Sequence, residues 1–351
     1  MSSTPRRKDS HLDLTATQDV GFRNKTNLFD AVSLIHNSLP ELSLDEIDTS
    51  TTMFGKPLRA PLLIASMTGG SDRARTINRV LAAVAEERGY GFGLGSQRAM
   101  VENPAAVDSY RVRQEAPSAL LLGNIGMVQA IAMSTDDLAR LVADVGADAL
   151  CVHLNPAHEL TQPEGDRDFR GGIELFQRLT NELGLPVLAK ETGAGLSLDV
   201  ARRLAAVGVK NVDVGGAGGT SFVAVETLRL APDEQETGHV FRDWGIPTAA
   251  SLLAVSTIGF ESVVATGGLR TGLEVAKAIA LGATCAGIAR PVFQAQQEAG
   301  AKGVHDFLDQ VERQLRMAML LVGARNLQEL RMTQRVIHDE LRQWMPDANA
   351  S

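Results

Sequence analysis

From about residue 60 onward, short apolar runs alternate with stretches of helical periodicity, and this alternation restricts the fold more than any other feature. Eight runs read as strands: Leu62–Ser66, Tyr90–Gly95, Ala119–Gly123, Ala149–His153, Pro186–Lys190, Asn211–Val214, Ser262–Thr266 and Thr284–Ile288. Each precedes a helix-like segment, the arrangement of strand, crossover and parallel strand. The count predicts a closed (β/α)8 TIM barrel, and 351 residues fall within the range such barrels occupy as one unit.

The intervening helices carry their own start and stop signals. Ser134 with Asp137 resembles a capping box, and Leu138, Leu141, Val142 and Val145 then recur on one face. Thr271 with Glu274 repeats that entry and Gly282 closes the segment, while Ser197 opens another helix that Gly208 ends. Residues 1–60 stand outside the repeat and predict an N-terminal extension over the barrel, with 61–351 forming the barrel and C-terminal helices of a single overall domain. Residues 216–244 form a long insertion of the kind that serves as a lid. Residues 303–344 read as helical, packed outside the barrel or at a subunit contact.

Bulk composition narrows the function classes. Hydrophobic residues make up 44% and charged residues 22%, and no apolar run approaches the roughly 18 residues of a membrane span. MSSTPRRKDSHLDL has basic residues without an apolar stretch behind them, so it does not read as a secretory signal. Cys151 and Cys285 sit in strand-like runs rather than in metal or redox spacings, as suits a reducing cytoplasm. A net charge of -8 with mixed signs argues against a general nucleic-acid surface, leaving local basic clusters free to hold small anions.

In a barrel, chemistry is built where the strands end. Those ends read Ser66-Met67-Thr68, Ser96-Gln97-Arg98, Asn124, His153-Leu154-Asn155, Lys190-Glu191-Thr192, GAGGT through Thr220, Gly267-Gly268-Leu269-Arg270 and Ala289-Arg290. Glycine pairs before helix starts after the last two strands are where such barrels bind phosphate; a GG pair alone reads equally as a tight turn. Lys190, closing an apolar strand, is either a snorkelling structural residue or a fixed cation at the barrel mouth. Behind Ala149-Leu150-Cys151-Val152, the stretch HLNPAHELTQPEGDRDF concentrates imidazoles, amides and carboxylates, as either a solvated loop or the wall of a reactive pocket.

Taken in order, Arg7-Lys8-x-x-His11, FDAVSLIHNSLPEL, MTGG, GSQR, HLN, QPEGD, GAGGT, GGLRTG and ARP resemble the type 2 isopentenyl diphosphate isomerases over nearly the whole chain. The resemblance implies a barrel that works with reduced FMN and Mg²⁺, with NAD(P)H as reductant, in isoprenoid biosynthesis. It also implies a cytoplasmic homo-oligomer, a tetramer or octamer, that interconverts isopentenyl and dimethylallyl diphosphate. On it, FMN lies against Ser66, Met67, Thr68, Ser96, Asn124, Lys190 and Thr220, with its phosphate near Gly267, Gly268, Arg270, Ala289 and Arg290. Arg7, Lys8, His11 and Arg98 hold the diphosphate, His153, Asn155 and His158 close the same pocket as catalytic residues, and Glu159 carries the metal. One departure stands out: the family has Gln-Glu where this chain has His158-Glu159. Histidine can donate a hydrogen bond or shuttle a proton there. The change also fits a divergent paralogue that binds another isoprenoid diphosphate, or a loop histidine with no part in the chemistry. An FMN-dependent 2-hydroxy acid oxidase or dehydrogenase shares the barrel and phosphate site, and fold alone does not separate it.

Overall fold

The computed structural model describes residues 4–345, with side chains from Lys8 onward. Eight parallel strands close a barrel: β1 (Leu62–Ile64), β2 (Gly91–Gly93), β3 (Leu121–Gly126), β4 (Ala149–Leu154), β5 (Val187–Glu191), β6 (Asn211–Asp213), β7 (Ser262–Thr266) and β8 (Cys285–Ile288). Each pairs with the next in sequence, and β8 pairs with β1 to complete the ring.

Strand alternation divides the interior into layers. Leu63, Leu122, Cys151, Leu188, Val264 and Cys285 form one buried apolar cluster. Because side chains repeat every two residues along a strand, the next inward positions are Asn124, His153, Lys190 and Thr266, with Asp213 beside them on β6. Register sets Gly126 against His153, His153 against Lys190, and Lys190 against Asp213. An apolar floor thus supports a polar row at the C-terminal mouth. The antiparallel pair Thr51–Met53 and Lys56–Leu58 contributes Met53 and Leu58 to the apolar cluster from the opposite end, and burial pushes both cysteine thiols up to about 12, so neither ionises at neutral pH.

Helix entries follow the local signals. Ser134 accepts from the Asp137 backbone N–H, Ser197 accepts from Val200, and Thr271 with Glu274 forms a complete capping box. The N-terminal helix α1 (Thr4–Thr17) lies at the mouth, with Leu12 buried beneath it. Two shorter helices complete the rim: α2 (Pro156–Thr161) follows β4, and α3 (Phe222–Thr227) follows β6.

Two expectations need correction. The insertion at 216–244 is not an open lid: Val223, Ala224 and Val225 of α3 are buried, and the Ser221 N–H donates to the Val20 carbonyl. Its apolar side chains have found a packed position against the N-terminal extension. The tail is not helical throughout, because Arg335–Ile337 pairs antiparallel with Val32–Leu34. There Val336 and Ile337, β-branched and free of a helical turn after Thr333, form one half of a separate two-stranded sheet. No helix among the described residues is long and apolar enough to cross a membrane.

Candidate active site

A cavity of about 400 Å³ opens at the C-terminal mouth. Every residue assigned above to cofactor, substrate or metal lines it apart from Arg7, whose side chain lies outside the described residues. The cavity has three regions of different chemistry.

The first is the polar row on the barrel floor. Lys190 Nζ donates to Asp213 Oδ2 at 2.7 Å, to Thr266 Oγ1 at 3.2 Å and to the Glu191 carbonyl at 3.1 Å, while Thr266 Oγ1 donates to Asp213 Oδ1 at 2.6 Å. The lysine is therefore a compensated cation fixed in direction. Asn124 lies inside β3 rather than after it. Its Nδ2 donates to the Leu94 carbonyl at 3.0 Å, which turns Oδ1 toward His153 Nδ1 at 2.8 Å. This network assigns the proton to His153 Nδ1 and leaves Nε2 as an acceptor at the cavity wall. Burial, with the charges of His158, Lys8 and Lys190, lowers the His153 pKa to about 3, so the imidazole is neutral in the physiological range. Thr68 is buried, and its hydroxyl has no hydrogen-bond partner among the described residues. Such an orphaned hydroxyl facing a cavity fits a polar ligand edge.

The second region is built for an anion. Gly267 and Gly268 follow β7 with φ of 115° and 79°, a conformation that exposes backbone N–H groups and that side chains resist. A Cβ at Gly219 would come within 2.5 Å of the Gly268 nitrogen, so the two glycine loops touch. Arg290 begins the long helix after β8, and burial and the neighbouring Arg270 lower its pKa. Among the described residues, neither guanidinium has a carboxylate in ion-pair contact. Arg290 also donates to the Thr15 and Gln18 carbonyls at 2.9 and 2.8 Å, fastening the end of α1 over this region. Two converging cations and bare backbone donors suit a phosphate.

The third region lies between α1, α2 and α3. Lys8 donates to the Ser96 carbonyl at 3.2 Å. Arg98 pairs with Glu102 at 2.9 Å and Asp166 at 3.7 Å, so it is partly neutralised within the protein. Glu159 is buried; Asn155 Nδ2 donates to its Oε1 at 2.9 Å and the Asp166 backbone N–H to its Oε2 at 3.0 Å. Each oxygen keeps a second lone pair for a hard cation.

Sequence reasoning missed Glu226, which α3 buries completely at this rim. Its Oε1 lies 2.7 Å from both His11 Nε2 and His158 Nε2, and Arg229 pairs with its other oxygen. Burial opposes its ionisation, yet the two imidazoles hold its pKa well below the ordinary carboxylate range. The only sequence signal was a carboxylate directly after the apolar run Phe222–Val225. Asp213 was missed too, although its place two residues beyond an inward strand position marks it.

Barrel, anion cradle and orphaned hydroxyl together define a flavin-type site, and the FMN-dependent dehydrogenase family profile matches residues 2–154 and 172–338. Solved structures of similar fold include a mandelate oxidase variant at 20% identity and TM-score 0.65, covering 93% of this chain and 95% of that one. A flavocytochrome b2 variant aligns at 19% identity and TM-score 0.70, covering 98% and 85%. More similar in sequence are the isopentenyl-diphosphate delta-isomerases of Methanococcoides burtonii, 45% identical over 95% of this chain and 92% of its own, and of Archaeoglobus fulgidus, 43% over 98% and 99%. The chain belongs to the isopentenyl-diphosphate delta-isomerase family of FMN barrels.

Proposed function

We propose that the protein interconverts isopentenyl and dimethylallyl diphosphate on reduced FMN with Mg²⁺, as a cytoplasmic homo-oligomer drawing reducing equivalents from NAD(P)H. The observation that carries this reading is one cavity with an anion cradle at one end and a buried carboxylate among cations at the other. A diphosphate substrate and a phosphate-bearing cofactor then have separate anchors.

Thr68, Ser96, Asn124, Lys190 and Thr220 would hold the flavin, with Gly267, Gly268, Arg270 and Arg290 at its phosphate. Reduced FMN, when bound, supplies the proton exchange that moves the double bond with no net oxidation. The chain's own residues position and shield the reacting carbons. Lys8, His11 and Arg98, together with Arg7, attract the diphosphate. Glu159 would share Mg²⁺ with diphosphate oxygens, and Asn155 holds that carboxylate in place. His153, neutral and bonded to Asn124, presents an acceptor without adding charge near the flavin edge. His158, with Nε2 directed to Glu226 and its ring 4.9 Å from Phe222, stands in the position of the family glutamine as an oriented donor.

Glu159→Gln is expected to lower turnover by about 100-fold at limiting Mg²⁺ and to leave flavin content unchanged. Unchanged Mg²⁺ dependence in initial-rate assays would remove Glu159 from the metal role. Similarity in fold to mandelate oxidase supports a second reading, 2-hydroxy acid oxidation. Anaerobic bleaching of the flavin by a 2-hydroxy acid, followed spectrophotometrically, would favour it.

A further inference from the structure

We propose that His11, His158 and Glu226 form a second metal site, for a borderline divalent ion of the zinc, cobalt or nickel class, separate from the Mg²⁺ position at Glu159. The three ligands come from α1, α2 and α3, and their nitrogen and oxygen atoms all lie within 4.8 Å of one another. Both Nε2 atoms stand 2.7 Å from the same oxygen, Glu226 Oε1. His158 makes a hydrogen bond with it, and His11 Nε2, buried beside it, meets the same oxygen as an ion-pair contact. Two imidazole nitrogens converging on one oxygen of a buried carboxylate make a three-point donor set that a metal ion can enter by displacing the ring protons. Two imidazoles and one carboxylate match the preferences of zinc-class ions, while Mg²⁺ prefers oxygen donors.

The surroundings are those of a held ligand set. Arg229 fixes the other oxygen of Glu226, and Phe222 packs on the His158 ring. His11 and His158 both line the cavity, so three protein ligands leave coordination positions open toward it. A bound ion would tie the N-terminal helix to the barrel rim and replace the His11 and His158 contacts to Glu226, so the zinc-bound form is an alternative to the state in which His11 meets the diphosphate and His158 acts as a donor.

The test is calorimetric titration of the FMN-loaded protein with ZnCl₂ at neutral pH in excess MgCl₂. One zinc per chain is expected to bind. His11→Gln and His158→Gln should each weaken binding by about 100-fold, and Glu159→Gln should leave it within about twofold. Cobalt(II) should give ligand-field bands at wavelengths beyond the flavin absorption, and these should vanish in His158→Gln. Absence of saturable zinc binding overturns the proposal, as does binding indifferent to His11→Gln and His158→Gln. Loss of zinc binding in Glu159→Gln would place the ion at the other carboxylate and overturn it equally. Melting profiles without metal establish that each variant is folded. Zinc binding is read without turnover, so failure of the isomerase reading would leave it standing.

Discussion

Lys190 and Asp213 are worth more as a pair than either is alone. Asp213 is 4% exposed and Lys190 12%, so removing the lysine strands a buried carboxylate. Lys190→Ala is expected to cost about 3 to 5 kcal/mol of stability and to lower flavin retention. Adding Asp213→Asn should restore most of the stability but not the flavin, as read by thermal melts and absorbance after desalting. Equal recovery of both would make Lys190 purely structural. His153 carries a different prediction. Its folded pKa, about 3, lies below the unfolded value of 6.5. The stability it contributes is therefore complete above pH 6.5 and is lost as pH falls toward 3. Histidine ring NMR should show His153 neutral, protonated at Nδ1, throughout the range where the protein is active; a titration near 6.5 would contradict the burial and the Asn124 bond.

Among the elements, caps and strands were legible in the sequence and the tail was not. Ser134, Ser197 and Thr271 cap the helices their spacing indicates, because a cap is a local event that needs only its own first turn. Ser134→Ala should cost about 1 kcal/mol and leave turnover unchanged; since the Ser134 cap is exposed and lies outside the cavity lining, a loss of activity would indicate coupling to the site. All eight barrel strands lie within or close to the expected runs, since a continuous apolar run buried on both sides is a strong signal. Arg335–Ile337 was not readable as a strand because its partner, Val32–Leu34, lies some 300 residues away, and nothing local announces the pairing. Glu226 escaped for the same reason. Its value comes from His11 and His158 arriving from distant segments, whereas Lys190 and His153 announce themselves by ending apolar strands.

At the scale of the whole molecule, the apolar floor, the polar row and the three rim helices convert one barrel end into a cavity with glycine loops and arginines on one side and Lys8, His11 and Arg98 on the other. The glycine loops and Arg290 suit a bound phosphate; residues from His153 to Gln162 wall the other side, with Glu159 and its partners inside. That division of labour is what an enzyme needs if its cofactor stays and its diphosphate substrate exchanges. The most direct measurement is proton NMR of isopentenyl diphosphate in D₂O with the protein, Mg²⁺ and photoreduced FMN, beside an oxidised-flavin control. Deuterated dimethylallyl diphosphate appearing only with reduced flavin is the expected result. Absence of both product and deuterium exchange, with flavin and substrate demonstrably bound, would contradict the isomerase assignment and point to a different isoprenoid diphosphate chemistry.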